Sequence, residues 1–282
     1  MKILKHLAIA FIGVLAAASA QAQAVGMVLD VKGAARAELS GRSELLDITA
    51  PLKAGMRIQI EKGNELGFVF YPGHTQYSAV GPATLQVTNK SVTQLQGAAM
   101  KTKPLPENRS VAALGFQNRV VPAAMVMKTG FDIQGRPKLV EPQDGETLLT
   151  QRPEFVWEAE TVAPTDFTLR LDGQVVHQQR VDAGTRLMMP EALVLQADKK
   201  YEWEVVRAQP GATGRRATFT VASAALRSQV LQGQPSAQAE VADWLLHAMV
   251  LAQANMRSES ARVLRQVAGQ RPASAALQTV AP

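Results

Sequence analysis

The strongest constraint in this sequence is its period. Across Val25–Met100, Met27, Leu29 and Val31 alternate with Val28, Asp30 and Lys32, and Met56, Ile58 and Ile60 alternate with Arg57, Gln59 and Glu61. Side chains of a strand point to opposite faces in turn, so each apolar trio is predicted to line one face of a β-strand. Leu66–Tyr71 fills both parities, with Leu66, Phe68 and Phe70 on one face and Gly67, Val69 and Tyr71 on the other. A strand written that way is predicted to be central and covered on both sides. Pro72-Gly73-His74-Thr75 and Gly81-Pro82 cut the block into short strands, and Gly97 closes it.

Pro137–Ala222 is a second block of the same kind. Phe155 and Trp157 share a face, Phe167, Leu169 and Leu171 alternate with Thr168 and Arg170, and Asp172-Gly173 is a hairpin turn that returns Val175–Val181. About seven strands at this spacing predict a two-sheet sandwich. The period then changes. Leu245, Ala248, Met249 and Ala252 recur at helical spacing, Asn255-Met256-Arg257 interrupts, and Ala261, Leu264, Val267 and Ala268 form a second apolar face before Pro272. The chain is therefore read as mainly β, with all-β units at 25–100 and 137–222, a linker at 101–136, and a short C-terminal α-hairpin and tail at 223–282.

The N-terminus reads as an address. Lys2 and Lys5 precede the apolar run Leu7–Ala18, and two small-residue triplets follow, Ala18-Ser19-Ala20 and Ala22-Gln23-Ala24. That order is the pattern of a secretory signal peptide over residues 1–24, and either triplet could be the cleavage site. A membrane span needs roughly 20 apolar residues, and no later run reaches that length, so no transmembrane segment is expected once the signal is removed. The expected location is the periplasm. Cysteine is absent, which closes off disulfides, thiolate catalysis and cysteine-bound metal.

Several elements of the first block resemble the periplasmic FecR-type domain: Gly26-Met27-Val28 with Gly33, Leu52-Lys53-Ala54-Gly55-Met56-Arg57-Ile58, Leu66–Phe70, Gly81–Val87 and Leu95-Gln96-Gly97. The family commonly has Asp after the glycine that Gly55 matches, where Met56-Arg57 stands here. The resemblance implies an extracytoplasmic interaction module. Control of a sigma factor is not carried over, because only six residues precede the apolar run. In the second block, the order of a P-x-F-x-W strand, a hairpin and an L-x(5)-Y-x-W-x-V strand resembles fibronectin type III and immunoglobulin-like domains, which implies a loop-tying packing role for Tyr201. The spacing from Leu245 to Ala268 resembles one tetratricopeptide-type hairpin, expected to cap the sandwich or dock on a partner.

The formal charge of +6 is not a nucleic-acid signature. Two cations leave with the signal, and Lys101–Arg136 alone carries 6 − 2 = +4, spaced among Pro104, Pro106, Pro122, Gly115, Gly130 and Gly135. That composition describes a basic linker, and export argues against a nucleic-acid partner. No G-x-S-x-G elbow occurs, and His177 and His247 have no partner at metal-ligand spacing. No catalytic residue, metal ligand or cofactor is assigned. Glu158 with Glu160 and Glu202 with Glu204 read as solvated strand faces, and Phe155, Trp157 and Trp203 as core. The candidate partner-binding group is Tyr71, His74, Gln76 and Tyr77, a turn cluster able to hydrogen-bond and stack.

The expected function is that of a non-enzymatic, exported cell-envelope scaffold or recognition protein whose partner is an envelope protein or a cell-wall glycan. A peptidoglycan- or polysaccharide-binding module is the alternative, and an unrecognised hydrolase ranks last. Oligomeric state is not legible in the sequence.

Overall fold

A computed structural model describes residues 24–105, 136–161 and 163–279. The expected signal peptide and most of the expected linker lie outside the described residues.

Ten strands make the first unit: β1 (Ala24–Lys32), β2 (Ala35–Leu39), β3 (Arg42–Leu45), β4 (Pro51–Lys53), β5 (Arg57–Ile60), β6 (Glu65–Phe70), β7 (Thr75–Val80), β8 (Ala83–Val87), β9 (Val92–Gln96) and β10 (Lys101–Pro104). They form two five-stranded sheets, ordered β10-β7-β6-β1-β4 and β3-β2-β5-β8-β9. Met56, Ile58, Ile60, Leu66, Phe68 and Phe70 meet in the core between them, as their period predicts. β10 pairs with β7 from Lys101↔Ser78 to Pro104↔Thr75, so the unit runs past Met100 and the expected linker opens with a strand.

β1 departs from simple alternation. Its pairing with β6 shifts register between Val28 and Asp30. The extra residue of a β-bulge reverses the parity of everything after it. Val28 and, past the bulge, Val31 accordingly pack on the sandwich core, while Met27 and Leu29 face outward; Val25 joins the core beside a separate register shift, between Ala24 and Gly26 in the pairing with β4. The expected Met27–Leu29–Val31 face is thus split between two cores.

β11 (Lys138–Glu141), β12 (Glu146–Leu148), β13 (Glu154–Glu158), β14 (Thr165–Leu171), β15 (Gln174–Val181), β16 (Arg186–Met188), β17 (Lys200–Arg207) and β18 (Arg215–Val221) build the second sandwich. A three-stranded sheet, β11-β13-β16, faces a five-stranded one, β12-β18-β17-β14-β15. Phe155, Trp157, Phe167, Trp203 and Phe219 fill its core. The Tyr201 hydroxyl accepts a hydrogen bond from the Gln196 N–H at 2.8 Å, tying the preceding loop to the sandwich. Glu202 and Glu204 lie on the outer face in a four-member ion network with Arg170 and Arg216.

The C-terminal segment folds as α1 (Ala224–Gln232), α2 (Val241–Gln253), α3 (Arg257–Gln270) and α4 (Ala275–Gln278). The hairpin of α2 and α3 was expected; α1 and α4 extend it. Val241, Leu245, Met249, Val267 and Leu277 pack with Met27, Leu29, Ile48 and Val69 on the outer face of the first unit's sheet. Ala222, Val230, Leu251 and Met256 form a smaller cluster toward the second sandwich, with Leu149 against it. The helices therefore cover the sheet of the first unit rather than cap the second sandwich alone, and this explains why β6 is apolar on both faces.

Candidate functional site

The four residues singled out by sequence occupy different surroundings. β6 and β7 meet through the turn Tyr71–His74, where the His74 N–H donates to the Tyr71 carbonyl at 3.1 Å. His74 holds a positive φ of 46° and is exposed at the tip. Asn, Asp and His tolerate this left-handed region better than branched residues do, so turn geometry alone suffices to place a polar residue there. Tyr71 packs against the helix-facing core, and burial pushes its phenol pKa well above the ordinary value. Gln76 is buried, opposite Val69 in the ladder and so on the same helix-facing side. Tyr77 points the other way and stacks on Phe68 at a ring separation of 5.2 Å. The strand pleat thus separates Gln76 from Tyr77, and only His74 of the four is fully exposed, Tyr71 and Tyr77 being half-buried.

The densest polar chemistry lies where the helices grip the two β units. Arg271 donates from Nε and Nη2 to the two carboxylate oxygens of Asp30 at 2.7 and 2.8 Å, a bidentate pair between the end of α3 and the bulged segment of β1. The Lys103 ammonium on β10 reaches both oxygens of Asp243 on α2 at 2.8 and 2.9 Å. Asp47 accepts from the Ala276 N–H at 3.0 Å. Burial pushes the Asp47 carboxyl upward, but hydrogen bonds from Ala276, Ser274, Ile48 and Ala275 outweigh it and hold the group below the usual carboxylate range.

The second sandwich is fastened by Glu146. This carboxylate is fully buried and accepts from the Gln143 N–H at 2.7 Å, the Ser258 N–H at 2.5 Å and the Ser258 hydroxyl at 2.9 Å. The residue preceding α3, Met256, has no side chain able to cap it. A helix start leaves N–H groups without intrahelical partners and favours negative charge, so β12 supplies from another unit the cap that the local sequence lacks. Glu259 reaches back, accepting from the Leu149 N–H at 3.3 Å. Burial raises the Glu259 carboxyl above its ordinary pKa, and the neighbouring Glu146 charge adds to that.

These clasp residues carried a faint sequence signal: Asp30 and Asp243 each interrupt an apolar run, which a buried ion pair explains and a solvated face does not. Nothing local marked Glu146 or Arg271. An open groove of about 470 Å³ lies beside β18, lined by Arg136, Leu139, Asp144, Gly214, Arg215 and Arg216. His247 is buried on α2 in an edge-on contact with Trp244, and His177 sits on β15 beside Phe167. Among the described residues, no group of three or more His, Asp or Glu side chains is placed to hold a metal ion, and no helix is long and apolar enough to cross a membrane.

No family model and no curated protein matches the chain. Among solved structures it is similar to the crystal structure of β-1,2-glucanase from Parabacteroides distasonis, over 88% of this chain and 49% of the other, at 7% identity and a TM-score of 0.24. The chain spans about half the length of that enzyme, and a likeness this loose carries no argument about fold or activity.

Proposed function

We propose that the chain is a non-enzymatic, exported cell-envelope protein that acts as a scaffold or recognition module, with a FecR-like first unit offering the recognition surface and an immunoglobulin-like second unit joined to it by the helices. One observation carries this reading: the helical segment is packed on the first sheet and clasped to that unit through Asp30–Arg271 and Lys103–Asp243, and it is clasped to the second sandwich through Glu146–Ser258. Such an arrangement spends its buried charges on joining units and holds them in a set relation, which suits presenting a surface to a partner. Of the turn cluster, His74 is the residue available for contact.

Deleting residues 25–100 would strip the apolar floor from under α2, so a point label is the cleaner test. A photo-crosslinking residue at position 74, in the protein expressed in its own cells, should yield one reproducible envelope adduct that the same label at Lys90 does not. Equal or absent labelling at both positions would count against recognition through this turn. Recovery of the protein from the cytoplasmic fraction with residues 1–24 intact would sink the exported reading.

The arginine-lined groove favours a second reading, a module for a carboxylate-bearing wall polymer. Salt-sensitive co-sedimentation with purified sacculi, weakened by Arg215→Ala, would support it. No co-sedimentation at low salt would remove it.

A further inference from the structure

We infer that the open end of the second sandwich holds a carboxylate-binding site in which Arg207 is the receiving group. The register fixes where Arg207 points. On β17 and β14, Arg207 lies opposite Thr165, Val205 opposite Phe167 and Trp203 opposite Leu169. The latter four residues belong to the core, and alternate residues of a strand share a face, so Arg207 and Thr165 are turned between the sheets. Trp157 reaches the same end from the opposing sheet, next to the last residue of β13, and the loop after β13 leads straight into Thr165.

This end gathers donors that the chain leaves unmatched. Arg207 Nε and Nη2, the Thr165 hydroxyl and the Trp157 indole N–H are all buried, and among the described residues none has a hydrogen-bond partner. Thr165 is 2% exposed and Trp157 1%. Arg170, Arg180, Arg186 and Arg216 of the same sandwich each pair with an acid. Arg207 has no such pair among the described residues. A cation turned inward without a counter-charge is costly, and folded chains ordinarily supply one. Here the counter-charge is left to a ligand. Nε and Nη2 form the side edge of the guanidinium, whose two parallel N–H groups match the two oxygens of a carboxylate. That edge selects a planar acid over a spherical anion or a neutral molecule.

The way in is the groove beside β18. Its lining residues Leu139 and Arg215 are the ladder partners of Trp157 and Val205, so it opens at this end. It carries three arginines against Asp144, whose Oδ1 already accepts from the Thr218 N–H and hydroxyl. An acid is therefore drawn to the mouth. Arg207 is half-buried as a residue, so a turn about its long stem swings the unmatched edge toward the groove. The site deepens the second functional reading and rests on it for the source of the acid, a carboxylate on a wall polymer.

The test is magnetic resonance of the arginine Nε–H groups of the isotope-labelled protein, with Arg207→Lys identifying the Arg207 signal. Sodium acetate should move that signal along a saturating curve that sodium chloride at equal ionic strength does not reproduce. Acetate should also raise the Tm of the wild type and not that of Arg207→Lys, which keeps the charge and drops the fork. Thr165→Val removes an unpartnered hydroxyl at little cost to folding and should weaken acetate by roughly threefold or more. No saturable shift with acetate, an equal shift with chloride, tighter binding of inorganic phosphate than of acetate, or acetate binding indifferent to Thr165→Val would overturn the inference. Co-sedimentation with sacculi reads the polymer separately: saturable acetate binding supports the site even where sacculi leave the protein in solution, which removes only the wall as the source of the acid.

Discussion

Replacing Glu146 with alanine tests whether the clasp to the second sandwich is structural. The substitution removes a fully buried acceptor and strands the Gln143 N–H, the Ser258 N–H and the Ser258 hydroxyl. Hydrogen bonds to a charged group contribute about 1.5–3 kcal/mol each, and a buried donor left unmade costs about 1–3 kcal/mol. Allowing for relaxation around the smaller side chain, Glu146→Ala should cost about 3–5 kcal/mol, a large share of the roughly 5–15 kcal/mol that holds a typical protein folded. Glu146→Gln keeps an acceptor but loses the charge at the helix start, and should cost about 1–2 kcal/mol. Urea unfolding followed by fluorescence reads this out: Trp157 and Trp203 report the sandwich, and Trp244 reports the helices. In the Trp244→Phe background the reporters lie in the sandwich alone, which separates loss of the joint from loss of the whole. The double-mutant cycle with Ser258→Ala should show a coupling of about 1 kcal/mol or more. A cost below about 1 kcal/mol for Glu146→Ala, or strict additivity in the cycle, would refute the cap from another unit.

Other outcomes follow from the same geometry. Arg271→Ala should cost about 2–4 kcal/mol in urea unfolding by leaving Asp30 buried without its partner, and Arg271→Lys should recover little of it because the two-pronged geometry is lost. Burial raises the Glu259 pKa, so the folded chain holds that proton more tightly than the unfolded chain; the associated stability is complete below the ordinary glutamate pKa and is lost as pH rises through the folded value. Glu259→Gln should therefore match the wild type in acid and exceed it at neutral pH, and parallel stability profiles would contradict this. Asp47 has the opposite sign: its pKa is lowered, so its contribution is present above the unfolded value and lost as pH falls through the folded one, and Asp47→Asn should reduce acid sensitivity. Gly81→Ala would place a Cβ 1.9 Å from the Glu61 carbonyl oxygen, forcing backbone to move at a cost of about 2–4 kcal/mol, measurable as a lowered Tm.

Local pattern carried much of the architecture. Met56, Ile58 and Ile60 announced one buried face, Asp172-Gly173 announced its hairpin, and the break at Asn255-Met256-Arg257 separated the helices where the chain turns. These are properties of a few consecutive residues, set by pleat, turn chemistry and helical spacing, and they need no knowledge of distant contacts. The candidate turn cluster is divided at the same scale: Gln76 and Tyr77 are adjacent in sequence, yet the pleat sends one to the helices and the other to the core.

What the amino-acid order determined by itself was the mainly β character, the two blocks of strands, the helical C-terminal segment and the exclusion of cysteine chemistry. It also showed that β6 had to be covered twice, without saying by what. Only the tertiary structure decided that α2 and α3 supply the cover, that a bulge at Leu29 sends Met27 toward them and Val31 away, and that Glu146 caps α3 from another unit. The reason is physical. Burial and periodicity act locally, whereas Asp30 and Arg271 are 241 residues apart, and their pairing exists only once both faces are in place.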